Sequence, residues 1–131
     1  MDIGYVPDPR SWDRWAEAES LLDPARARGD FATVLEDDEL LWAVMDGDDL
    51  IACATAWKGL DFVEVKLVGG RDRHLWLGEL DRRIGAAARN AGAKRLTAIG
   101  RRGWLRELKR LGWEALGEVD GSTVYSRELR G

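Results

Sequence analysis

The hydrophobic period of the chain changes sharply within residues 62–91. Val63, Val65 and Leu67 alternate with Glu64 and Lys66, the period of a half-buried strand. From Leu77 onward, Leu80, Ile84, Ala87, Ala88 and Ala91 recur three or four residues apart and form one helical stripe. The joint between the two patterns reads VGGRDRHLWLGELDRR, residues 68–83. A strand that runs through two glycines and two arginines into a helix, with a further strand pattern at residues 95–99, commits the middle of the chain to a parallel crossover. The first turn of that helix has N–H groups without intrahelical acceptors and the positive end of the macrodipole, a combination that suits an anionic group.

Around this joint the remaining elements are expected in a definite order. Ser11 is placed to cap a first helix whose inward face holds Trp12, Trp15 and Leu22. Asp23-Pro24 reads as the start of a separate short helical turn that Gly29 ends. Residues 40–45 and 50–57 are apolar runs joined by Asp46-Gly47-Asp48-Asp49, the chemistry of a β-hairpin. After the crossover helix, Gly92 marks a stop, and Trp104, Leu105, Leu108 and Leu111 make a second stripe that ends at Gly112. Residues 114–119 and 123–129 flank Asp120-Gly121, a second hairpin signal. The expected fold is α/β, with a mixed, mostly antiparallel central sheet flanked by helices in the order α-βββ-α-β-α-ββ. Residues 1–131 form a single domain in this reading, since repeats, linkers and low-complexity tracts are absent.

Charge is unevenly distributed. Residues 1–70 carry 6 basic and 16 acidic side chains, residues 71–110 carry 12 and 4, and residues 111–131 carry 2 and 4. The middle block therefore has a net charge of +8 in a chain whose total is −4, and a local positive field favours an anionic ligand. The bland alternative is a set of solvated, arginine-rich helix faces. Nucleic acid is a weaker candidate for the same block, because no recognised binding motif accompanies it and the seven tryptophans are scattered along the chain. No apolar run approaches the roughly 18–20 residues of a membrane helix. The beginning of the chain lacks the basic and apolar regions of a signal peptide, and the single Cys53 has no internal disulfide partner, so a reduced, cytoplasmic setting is expected.

The element order and the two glycine-marked joints together resemble the GNAT family of N-acetyltransferases over roughly residues 35–131. That family reads strand, V-x-P-x-x-[RQ]-x-x-G-x-[GA], helix, short strand, helix and a closing hairpin. With its valine on Val68, its Arg/Gln falls on Arg73, its first glycine on Trp76 and its second on Gly78. Leu111-Gly112-Trp113 matches the leucine, glycine and aromatic that end the later helix. The resemblance implies a binding site for acetyl-coenzyme A or another acyl-coenzyme A along Leu67, Val68, Arg73, His74, Leu75, Trp76, Leu77 and Gly78. It implies an amine acceptor, either a small molecule or a protein, and a general base for which Glu64 is the available carboxylate; an outward-facing strand residue is the plainer reading of Glu64. The indole of Trp76 either crowds the phosphates or turns sideways into the core. The tyrosine that family enzymes use as acid is replaced by Leu108, which has no acid–base chemistry. Small GNAT-like proteins with eroded loops also serve as accessory proteins of tailed bacteriophages, so a non-catalytic member with a protein partner in an assembly is the alternative.

Other signals carry less. Asp46-Gly47-Asp48-Asp49 lacks the later oxygen ligands of a calcium loop, since Leu50 and Trp57 stand there. His74 is the only histidine and no cysteine pair accompanies it, so no metal site is expected. Arg101-Arg102 at the start of the second helix opposes its dipole, a mild sign of an anionic ligand or partner.

Overall fold

Two hairpin-linked blocks of strands meet at one parallel crossover. A computed structural model describes residues 1–130. The elements are β1 (Asp2–Val6), α1 (Trp15–Arg28), β2 (Leu40–Asp46), β3 (Asp49–Lys58), β4 (Phe62–Gly70), α2 (Leu77–Asn90), β5 (Arg95–Gly100), α3 (Leu105–Arg110), β6 (Glu114–Val119) and β7 (Ser122–Glu128). Short 3-10 turns at Pro9–Ser11, Arg73–Leu75 and Arg102–Trp104 introduce the three helices. Among the described residues one seven-stranded sheet runs in the order β1-β2-β3-β4-β5-β7-β6, and only β4 and β5 pair parallel.

The expected order holds from Trp15 onward and is preceded by β1. That strand pairs with β2 from Asp2↔Met45 to Val6↔Leu41, and of its five residues only Ile3 is buried. It has no periodicity of its own, so its backbone pairing with β2 defines it. The start of the first helix also differs from expectation. Ser11 lies in a 3-10 turn rather than capping α1, and Asp23-Pro24 lies inside α1 instead of opening a new turn. Pro24 is on the exposed side, while Ala18 and Leu22 on the other side are fully buried against the sheet. Packing of that face outweighs the one helical hydrogen bond a proline removes. Asp120 and Gly121 both have positive φ, 51° and 80°, so the last hairpin turns as the sequence suggests.

Each face of the sheet has its own core. Trp42, Trp76, Leu80, Ile84, Trp113 and Tyr125 gather under α2 and α3. Leu22, Leu41, Cys53 and Leu67 gather under α1. Burial pushes the Cys53 thiol up to about 12. Gly69 marks how closely α1 approaches β4: a Cβ there would stand 2.0 Å from the Leu21 carbonyl oxygen. Among the described residues no helix is long and apolar enough to cross a membrane.

Candidate functional site

The sheet opens where β4 and β5 part. Their pairing runs from Phe62↔Arg95 to Val65↔Ala98 and then stops, although β4 continues to Gly70. Beyond Val65 the β5-facing edge of β4 has no strand partner. A cleft of about 190 Å³ lies in the gap, and it reaches from Phe31 and Lys66 on the α1 side to Leu80, Leu108 and Tyr125 under α2 and α3. Buried backbone polar groups require partners, so an edge left open inside a cleft is suited to a ligand with amide groups of its own.

A wider groove of about 400 Å³ opens at the end of β4, between α1 and the turn before α3. Arg28, Arg71, Arg73 and Arg101 line it. Arg73 is committed elsewhere: its guanidinium lies 2.5 Å from Glu107 and 4.3 Å from the centroid of the Trp104 ring. Arg28, Arg71 and Arg101 have no carboxylate partner among the described residues. Three arginines lining one groove without carboxylate partners make it a place for phosphate or carboxylate.

Trp76 turns inward. Its side chain is 1% exposed, it belongs to the core under α2, and its indole N–H donates to the Arg71 carbonyl at 2.7 Å. The ring therefore braces the loop from behind rather than standing across it. Its own backbone N–H is used within the 3-10 turn, bonding to the Arg73 carbonyl at 3.2 Å. The first helical bond of α2 runs from Leu80 N–H to the Trp76 carbonyl at 2.9 Å, and no side chain caps the helix. The leading N–H groups at Leu77, Gly78 and Glu79 thus have no intrahelical acceptor.

The residues expected to form one site are distributed around this joint. Val68 and Trp76 line the groove, Val68, Leu67 and Leu77 line the cleft, and Arg73 stands at the groove wall. His74, Leu75 and Gly78 are exposed and line neither space. A Cβ on Gly78 would meet only Leu111 at 3.6 Å, an ordinary contact, so steric need does not explain this glycine. Glu64 lies in the closed part of the seam, flanked by Trp57 on β3 and Thr97 on β5, and Trp57 Nε1 donates to its carboxylate at 2.8 Å.

Two lining groups were missed by sequence reasoning. Asp81 projects from α2 to the cleft wall, where Trp113 Nε1 donates to it at 2.8 Å and Arg127 lies 3.3 Å away. Burial raises its pKa, against the lowering effect of those two partners. Asp81 stands four residues after Leu77 and three before Ile84, at the edge of the apolar face of α2, and that spacing is the signal by which the sequence marks it as partly buried. Lys66 lines the cleft from the α1 side, and its alternation with Leu67 gives no hint of this.

No family profile matches the sequence, and no curated protein matches it. Solved structures match its fold throughout. A crystal structure of aminoglycoside 6'-acetyltransferase type Ii superposes with a TM-score of 0.79 at 14% identity, over 100% of this chain and 99% of that one. An aminoglycoside 6'-N-acetyltransferase complexed with coenzyme A gives 0.78 at 12% identity, over 100% and 98%. A GNAT family acetyltransferase from Elizabethkingia anophelis with acetyl-CoA bound gives 0.74 at 14% identity, over 98% and 97%. The chain has the GNAT fold.

Proposed function

We propose that this chain binds an acyl-coenzyme A with its phosphates in the arginine-lined groove and its acyl end in the cleft, and transfers the acyl group to an amine. The observation that carries the reading is the continuity of the two spaces: Ala25, Arg28, Val68, Arg101 and Trp104 line both. The residues present suit such a donor. Arg28, Arg71 and Arg101 would hold its phosphates, and the open edge of β4 would accept its amide-bearing arm. The thioester supplies an activated acyl group. What the protein adds is proximity between donor and amine, with Glu64 as the candidate base. The Trp57 indole holds that carboxylate in one orientation.

A second reading is a non-catalytic GNAT-fold protein with a binding role in an assembly. Leu108 favours it: this side chain lines the cleft where the resemblance implies an acid, and it has no proton to give.

Calorimetry with coenzyme A, followed by thiol release from acetyl-coenzyme A across a panel of amines, separates the two. Binding is expected, weakened at least tenfold by Arg71→Glu. An absence of heat at millimolar ligand would overturn the donor site. Binding without thiol release for any amine would support the second reading.

A further inference from the structure

Lys66 is the one residue of the body of β4 without a strand partner on either side. The register against β3 passes from Thr55↔Leu67 to Ala56↔Val65, so Lys66 is the bulged residue, and pairing with β5 has already ended at Val65. A bulge re-aims a side chain, and here it sends the lysine into the mouth of the cleft. The bulge is itself secured, because Leu67 N–H donates to the buried Thr55 hydroxyl at 3.2 Å.

The ammonium group is fixed in place. Lys66 Nζ lies 2.8 Å from Glu39 Oε2 and 4.4 Å from the centroid of the Phe31 ring. The lysine side chain is 14% exposed and that of Glu39 only 3%. The other carboxylate oxygen of Glu39 accepts the Glu36 N–H at 2.7 Å, which holds the acid in position. An amine with a carboxylate in contact thus stands on the α1 side of the opening, facing a space that continues to the arginine groove. The carboxylate lies within hydrogen-bond distance of the ammonium group, so it is placed to take one proton from it when the amine reacts.

Building on the donor site proposed above, we infer that Lys66 is an internal acceptor, acylated on Nζ by the protein's own thioester substrate with Glu39 as base. Glu39 takes one proton from the ammonium group. The freed lone pair attacks the thioester carbonyl carbon, a C–N bond forms and the C–S bond breaks, with its electron pair leaving on sulfur. The thiolate takes the second nitrogen proton, and Glu39 returns the first to solvent. The amide product has no charge, so Glu39 loses its partner and the connection between α1 and β2 loses its anchor on β4.

The chain has three other lysines, Lys58, Lys94 and Lys109, all exposed, and these serve as internal controls for uncatalysed acylation. The full chain is incubated with acetyl-coenzyme A and followed by intact mass and peptide mapping, alongside calorimetry with coenzyme A. Acetylation at Lys66 ahead of the three exposed lysines is expected. Lys66→Arg, which keeps the ion pair, should abolish that site, and Glu39→Gln should slow it at least tenfold while leaving coenzyme A affinity unchanged. Modification confined to Lys58, Lys94 and Lys109 in a protein that binds coenzyme A would overturn the inference alone. No binding of coenzyme A would overturn the donor site and this inference with it.

Discussion

Because the indole of Trp76 stands where the family pattern has a residue without a side chain, replacing it tests what the ring supports. Trp76→Gly removes a fully buried ring and its bond to the Arg71 carbonyl. A loss of about 3–5 kcal/mol in urea unfolding is expected, with no gain in coenzyme A affinity, since the ring is buried in the core and only 1% exposed. The glycines of the same joint divide by what surrounds them. Gly69→Ala drives a methyl group into the α1 backbone at Leu21 and should cost at least about 1–3 kcal/mol. Gly78→Ala meets only Leu111 and should be neutral or gain up to about 1 kcal/mol in the same assay. The sequence located this joint but not the direction of its side chains. Arg73 looks like a free cation in the sequence, yet it is folded onto Glu107 and Trp104, which come from a later element. The bulge at Lys66 depends on the Thr55 hydroxyl one strand away, and no local pattern encodes that.

Elements with their own periodicity or turn chemistry were legible. The α2 stripe, the alternation of β4 and the Asp-Gly hairpins all lie where expected. β1 and the unbroken α1 were not, because pairing with β2 defines the first and packing on the sheet carries the second past Pro24. Connections between elements were equally hidden, as the buried tie from α2 through Asp81 to Trp113 and Arg127 illustrates. The raised pKa of Asp81 gives this tie a pH signature. A carboxyl group that binds its proton more tightly in the folded state adds stability at acid pH, and that contribution is lost as pH rises from the ordinary aspartate range through the raised value. Relative to Asp81→Asn, which does not titrate, the wild-type protein should therefore lose unfolding free energy across that interval and level off above it. Parallel urea titrations at stepped pH measure the difference, and an opposite slope would contradict the burial described.

At the scale of the whole molecule, charge and architecture divide at almost the same place. Residues 1–70 carry a net charge of −10, the basic block begins at Arg71, and the strand block β1–β4 ends at Gly70. The arginine groove thus sits on the boundary, lined by Arg28 from the first block and by Arg71, Arg73 and Arg101 from the basic one. Screening by salt should weaken coenzyme A binding in the calorimetry proposed above, because most of the attraction acts between partly exposed charges.

The parting of β4 from β5 has a mechanical consequence. The sheet is two antiparallel leaves bound along a spine of only four register pairs, from Phe62↔Arg95 to Val65↔Ala98. Helix α2 lies across that spine and reaches the far leaf, where Arg83 donates to the Ile3 carbonyl at 3.2 Å. The binding is short because the cleft occupies the rest of its length. Whatever fills the cleft extends the stitching between the leaves, so occupancy and cohesion become one property of the molecule.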